Sequence, residues 1–565
     1  MIPTYRFGPA IEGDNVRFRL WAPSGGRIDI ELRDGASVTL EDHADGWKEA
    51  LVRCGPGTRY RFRSGDVVFP DPASRRQDSG PHGWSVVCAP VVDPSSWKGR
   101  PWNEAVFYEL HVGLFGGYDG VARALPGFAE IGVTAVELMP IAAFPGARNW
   151  GYDGVLPFAP AESYGSPDAL RTLIARAHEL GLMVFLDVVY NHFGPDGNYL
   201  SLYAKDFFRD DVSTPWGAAI DFRDPTVRRF FLENAQYWVR EFGFDGLRFD
   251  AVHAIAGNAW LGDLAMMLRE SADREIHLVL ENDDNDAQLL RRGFDAQWND
   301  DLHHAVHVLL TGERNGYYGD FADAPAAGLA RALQTGFIYQ GQPSASHGGR
   351  KRGAPSADLP PTRFVSFLQN HDQIGNRAFG DRLTTLADTQ ALKAAVALLL
   401  LAPQVPLIFM GEEDGSRAPF LYFTDHDEKL AAIVREGRCR EFRTLLDAGG
   451  ALPDPNARSS FERSNPFADA PEPDSWRDLY RRLLAIRKSR IIPHLSGCEA
   501  ISAQAIADKA VVARWELGDE SILTIACNLG DDDAEFALPI SPPLWGEPKG
   551  DRLPARTTLA WVEAP

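Results

Sequence analysis

The chain reads as a parallel (β/α)8 barrel with a small antiparallel β-sandwich before it and a small β-domain after it. Three observations predict this. Eight short apolar runs recur between residues 105 and 413, divided by amphipathic stretches, which is the rhythm of a parallel sheet covered by helices. Residues before them alternate apolar and polar positions, and the tail returns to that alternation, the pattern of antiparallel strands with one wet face.

The N-terminal strands are carried by VRFRLWAP, RIDIELRD and RYRFRSGDVVF, broken by Gly and Asp turns. The barrel runs follow as AVFYELHV, AVELMPI, MVFLDVVYN, GLRFDAV, HLVLEN, DAQWND, FVSFLQNHD and VPLIFMGEE. Between them the helical periods are clear. In PTVRRFFLENAQYWVREFG, Val227, Phe230, Phe231, Ala235, Trp238, Val239 and Phe242 share a face, with Pro225 near the start and Gly243 at the end. SPDALRTLIARAHELG opens with Ser166 and Pro167 and closes at Gly181. Long Gly-, Pro- and Ser-rich stretches after the second run and over 341–362 predict loops that wall a cleft. A last helix around WRDLYRRLLAIRKSR leads into AVVARWEL, SILTIACNL and TTLAWVEA. The expected division is 1–97 for the sandwich, 98–490 for the barrel and 491–565 for the terminal β-domain.

Composition bounds the rest. A chain of 565 residues exceeds one hydrophobic core. Its 45% hydrophobic and 24% charged residues are those of an ordinary globular protein. A formal net charge of -21 argues against nucleic acid and anionic membranes as partners; a neutral substrate fits better. The start MIPTYRFGPAIEG has no signal-peptide pattern, and the apolar run Ala395–Pro403 is too short to span a bilayer. Five dispersed cysteines without CxxC spacing indicate neither a disulfide framework nor zinc. A reducing cytoplasm is the simplest compartment.

Three acids stand out: Asp250, Glu281 and Asp372 each follow an apolar run, in GLRFD, HLVLE and FVSFLQNHD. A barrel gathers strand-end side chains from distant segments into one pocket. Paired carboxylates around a scissile bond are the equipment of a glycosidase, one donating a proton to the leaving oxygen and one attacking the anomeric carbon. Arg248, two positions before Asp250, faces the same side. It is expected to hold Asp250 ionised as the nucleophile, while burial and neighbouring anions raise Glu281 for proton donation. A single strand-end acid is an ordinary solvated residue or helix cap. Three in ordered motifs are not.

The segments DVVYNH, GLRFDAVHAI, LVLEND and QNHDQIGN resemble, in order and spacing, the four signature regions of the α-amylase family, glycoside hydrolase family 13. The form of QNHDQIGN, with WNDDLHHAVHVLLTGE and MGEEDGSRAPFLYFTDH, is similar to its malto-oligosyltrehalose trehalohydrolase branch. The resemblance implies a TIM barrel behind an immunoglobulin-like sandwich. It implies a retaining hydrolase of trehalose biosynthesis, which cuts the α-1,4 bond next to the terminal trehalose of malto-oligosyltrehalose and releases trehalose and maltodextrin. A malto-oligosyltrehalose synthase is the implied pathway partner. Asp372 becomes the third carboxylate, and Tyr152, His192, Arg248, His253 and His371 become substrate contacts. The rival activities are a branching enzyme, an α-amylase, or a silent carbohydrate-binding relative. One departure is Asp414, where an aromatic residue is expected after MGEE.

Other features carry less. His303 and His307 stand four apart but lack HExxH or a third ligand, so they are read as lining or supporting the cleft rather than binding zinc. Arg350, Lys351 and Arg352 read as a solvated loop tip bordering the substrate's trehalose end at most. With no phosphate loop, dinucleotide fingerprint or EF-type loop, no cofactor or metal is expected.

Overall fold

The computed structural model describes residues 5–91, 96–214, 217–447 and 450–564. Met1–Thr4, the first residues of the segment without a signal-peptide pattern, lie outside them. The eight apolar runs form one closed parallel barrel in chain order: β1 (Phe107–Leu110), β2 (Ala135–Leu138), β3 (Met183–Val188), β4 (Gly246–Phe249), β5 (His277–Leu280), β6 (Ala296–Trp298), β7 (Phe364–Phe367) and β8 (Val405–Phe409), which pairs back onto β1.

Strands covered on both faces need apolar side chains at odd and even positions alike. Tyr108, Val136, Leu186, Leu247 and Leu278 face outward and join the core under the helices. The inward set, including Phe107, Ala135, Phe185, Val279 and Leu407, forms a separate plug. Side chains repeat their direction every two residues. From the plug, that parity leads toward the strand ends through Phe107 to Glu109, Ala135 to Glu137, Phe185 to Asp187 and Val279 to Glu281. On β4 it runs from Gly246 to Arg248 and on to Asp250. Register aligns these rows, with Glu109 opposite Glu137 and Asp187 opposite Arg248. The ionisable layer is therefore the continuation of the hydrophobic core.

The helices begin as their sequences ask. Ser166 accepts a hydrogen bond from the Ala169 N–H before helix Pro167–Glu179, and Asp224 caps helix Pro225–Tyr237. That second helix runs on as a π-turn over Trp238–Phe242 and stops at Gly243, whose φ of 87° suits glycine. All seven residues of its expected apolar face are buried.

Before the barrel stand two antiparallel sheets, one built on Asn15–Trp21 and Trp47–Val52, the other on Asp29–Leu32 and Arg59–Ser64. They close over Phe18, Ile30, Tyr60 and Phe62. The backbone N–H groups of Arg6 and Phe7 donate to Glu233 Oε2 at 2.8 and 3.0 Å, tying this end to the barrel helix. After the barrel, an antiparallel sheet of Glu499–Ala507, Ala510–Glu516, Ile522–Asn528 and Thr557–Glu563 follows. Its first strand, EAISAQAIA, has few large apolar residues and gave no sequence signal. The sheet docks on helix Thr389–Leu401, where Thr558 Oγ1 donates to the Ala394 carbonyl at 2.7 Å. The apolar run from Ala395 is thus a buried barrel helix. Among the described residues no helix is long and apolar enough to cross a membrane.

Gly246 shows how tight the inward layer is. A Cβ there would lie 2.1 Å from Phe185 Cε1 and 2.5 Å from the His277 carbonyl. Gly246→Ala is expected to destabilise the protein by about 1–3 kcal/mol, the cost of overpacking a filled core. Denaturant unfolding checks this; unchanged stability would mean that the plug has room to spare.

Candidate active site

Arg248 is completely buried on a bed of aromatic surface, its guanidinium carbon 4.1 Å from the centre of the Trp298 ring. From there it reaches acids on three strands. Its Nη1 donates to both Asp187 oxygens at 2.9 and 2.8 Å and to Asp250 Oδ1 at 2.9 Å, and its Nη2 lies 2.9 Å from Glu281 Oε2. A planar guanidinium suits this because it presents several donors in fixed directions. The sequence predicted Arg248 as a substrate contact; the structure sets it beneath the acids, with no surface of its own on the cleft.

The chain turns sharply after Asp250. Ala251 has φ 40° and ψ 50°, a left-handed conformation uncommon outside glycine. This turn aims the Ala251 N–H at Glu281 Oε2, 2.8 Å away. Glu281 is therefore held by a peptide N–H as well as by the arginine.

That arrangement overturns the expected proton order. Burial pushes Asp250 well above the ordinary carboxylate range, and the Glu281 anion adds to the rise faster than Arg248 removes it. Burial also pushes Glu281 up, but Arg248, His253 and the Ala251 N–H together bring it below its ordinary value. The sequence paired one arginine with one acid. In the structure Arg248 is shared, and the peptide donor belongs to Glu281 alone. In the ligand-free cleft the two acids are thus shifted in opposite directions, Asp250 up and Glu281 down.

Asp372 opens the short helix His371–Gly375, whose N-cap, Asn370, accepts from the Asp372 N–H at 2.9 Å. Burial raises its pKa against the pull of His371. For His371, burial opposes the charge, but Asp372 and Glu109 raise the ring to about 10. Tyr152 stacks on the His371 ring at 5.1 Å and donates its hydroxyl to Asp187 Oδ2 at 2.6 Å. His192 Nε2 lies 3.0 Å from the Tyr152 carbonyl, and burial lowers that ring to about 4. His253 Nδ1 accepts from the Asp283 N–H at 3.2 Å.

These groups line one cleft of about 590 Å³, which holds Asp250, Glu281, Asp372, Tyr152, His192, His253 and His371 together. Its walls also include Trp150, Asp283, Asp300 and His304, which the sequence did not single out, and His347 and Arg352, from the 341–362 stretch expected to wall the cleft.

An α-amylase catalytic-domain profile matches residues 68–216, and a profile for a domain of unknown function (DUF3459) matches residues 498–560. A malto-oligosyltrehalose trehalohydrolase from Saccharolobus solfataricus is 40% identical over 509 residues, covering 85% of this chain and 87% of its own. Another, from Deinococcus radiodurans, is 38% identical over 566 residues, covering 96% and 93%. This chain belongs to the malto-oligosyltrehalose trehalohydrolase family. A crystal structure from Salmonella typhimurium, assigned as an α-amylase, superposes with a TM-score of 0.93 at 41% identity, covering 99% of this chain and 100% of that one.

In this trehalohydrolase-family chain the minor sequence features find other places. His303 is buried between the Leu368 carbonyl and the Tyr318 hydroxyl, and His307 Nε2 meets Glu313 at 2.8 Å. It is His304, on the neighbouring face, that reaches the cleft. Arg350 and Lys351 are exposed, but Arg352 is no loop tip. It is buried in ion pairs with Asp301 at 2.6 Å and Asp283 at 3.0 Å, because its loop folds back over the cleft. Asp414, the departure from the aromatic pattern, is buried against Arg477.

A raised carboxylate has a sign for stability. The unfolded chain ionises Asp250 near its ordinary value of about 3.9 while the folded chain resists, so folding loses stability as pH rises above that value. Asp250→Asn should therefore melt above the wild type at pH 7, by roughly 2–4 °C for each kcal/mol relieved in a large domain. The gain should vanish near pH 3.5. Calorimetry across that range tests it, and a variant less stable at pH 7 would place the anion on Asp250 instead.

Proposed function

We propose that the protein is a retaining glycoside hydrolase that cuts the α-1,4-glucosidic bond next to the terminal trehalose of a malto-oligosyltrehalose, releasing trehalose and a shorter maltodextrin. The observation that carries this is the sharing of Arg248 by Asp250 and Glu281. Two carboxylates on one guanidinium support the close regime, about 5–5.5 Å, in which one attacks carbon directly. The substrate side rests on the family, whose members carry the trehalohydrolase name over most of the chain.

Asp250 attacks the anomeric carbon and Glu281 protonates the departing oxygen; water activated by Glu281 then releases the glycosyl group with retained configuration. This needs the proton on Glu281, against the direction in which the empty site shifts the two acids. A bound sugar can move it. A hydroxyl donating to Asp250 favours the anion there, and a glycosidic oxygen accepting from Glu281 favours its acid form. Asp372 holds hydroxyls of the distorted ring, Tyr152 offers a flat face, and His192, His253 and His371 supply polar contacts. Residues 98–490 form the catalytic unit in this reading, and a malto-oligosyltrehalose synthase would supply the substrate.

Incubation with maltotetraosyl-trehalose and with maltopentaose tests the substrate. The trehaloside should be cleaved at least about a hundredfold more efficiently, the discrimination expected when site hydrogen bonds fit one end group and not the other. Equal rates would make the enzyme an amylase, and a fall in iodine staining of amylose without new reducing ends would make it a branching enzyme.

A further inference from the structure

We propose that Glu109 is a positioning residue that fixes His371 as a doubly protonated ring at the back of the cleft. Hydrogen-bond direction carries the argument. Glu109 projects from β1 and His371 follows β7, and both are buried. Glu109 Oε1 meets His371 Nδ1, while Oε2 accepts the His371 backbone N–H at 3.3 Å. The backbone N–H at Oε2 favours the carboxylate, and a carboxylate oxygen only accepts, so the Nδ1 that faces Oε1 carries a proton. On the other side, His371 Nε2 lies 2.8 Å from the Tyr152 hydroxyl and 3.5 Å from Asp372 Oδ1. The Tyr152 proton is already committed to Asp187. Nε2 therefore meets acceptors only and must carry a proton as well.

Several charged or titratable groups face this ring: Glu137 on β2, Asp187 on β3, Arg248 on β4, Glu281 on β5, and His111 and Asp372 beside it. Glu137 is buried with neither oxygen hydrogen-bonded, so the neutral acid is its stable form. Glu109 is then the carboxylate that makes His371 the second cation beside Arg248. In the retaining reaction proposed above, on which this role rests, that charge offsets the anion that Asp250 must become.

Glu109→Gln tests this by two readouts. In the ligand-free protein, ¹⁵N shifts of the His371 ring, assigned by their loss in His371→Asn, should report double protonation up to about pH 9 in the wild type. In Glu109→Gln the ring should lose a proton nearer its ordinary value of about 6.5. Cleavage should fall at least about tenfold at pH 8 and less than about threefold at pH 5, one tenfold step per pH unit being the scale of a lost proton. Glu109→Asp, which keeps the charge, should retain the doubly protonated ring, and Glu137→Gln should titrate as wild type. A ring that stays doubly protonated in Glu109→Gln, a loss independent of pH, or the same shift in Glu137→Gln would overturn the assignment. The ring titration involves no substrate, so it is decided apart from which oligosaccharide is cleaved.

Discussion

One buried guanidinium organises the catalytic end of this barrel. Arg248 has no access to solvent and reaches acids from β3, β4 and β5. Removing this guanidinium would leave its acids as uncompensated buried charge, at a cost of about 3–5 kcal/mol, so the arginine is what holds them together. The arginine also engages Asp250 through Oδ1 only. Asp250 also lines the cleft, from which a substrate carbon approaches.

The charge balance around Arg248 is deliberately tight. Among the described residues, His371 is the other basic group that meets this inward layer of acids, facing Glu109 and Asp372. Two cations among so many carboxylates mean that at least one acid stays protonated, since charge is costly to bury unpaired. That shared proton is what an acid/base step requires. Where it rests depends on small local donors such as the Ala251 N–H, and the strained backbone at Ala251 is what delivers that donor. Backbone geometry at one residue thus adds to what Arg248 and His253 do to lower Glu281.

The barrel was legible because its strands are apolar on both faces and its helices are capped by residues such as Ser166 and Asp224. The three acids were legible because they end such runs. Glu109, Glu137 and Asp187 carried the same signal, an acid within an apolar strand of inward parity, and applying that parity to every run would have found them. His304, His347 and Arg352 reach the cleft through helix rotation and a long folded loop, neither of which periodicity specifies. The proton order of Asp250 and Glu281 was missed for a different reason. It follows from how one arginine is divided among partners far apart in the chain, and spacing along the sequence does not contain that information.

The central claim is that Asp250, raised on Arg248 beside Glu281, is the group that bonds to carbon. A slow-reacting 5-fluoro-maltosyl fluoride should trap the glycosyl-enzyme, and mass spectrometry of the digested protein should locate the adduct. The account predicts the label on Asp250. A label on Glu281, Asp372 or any other carboxylate would contradict it.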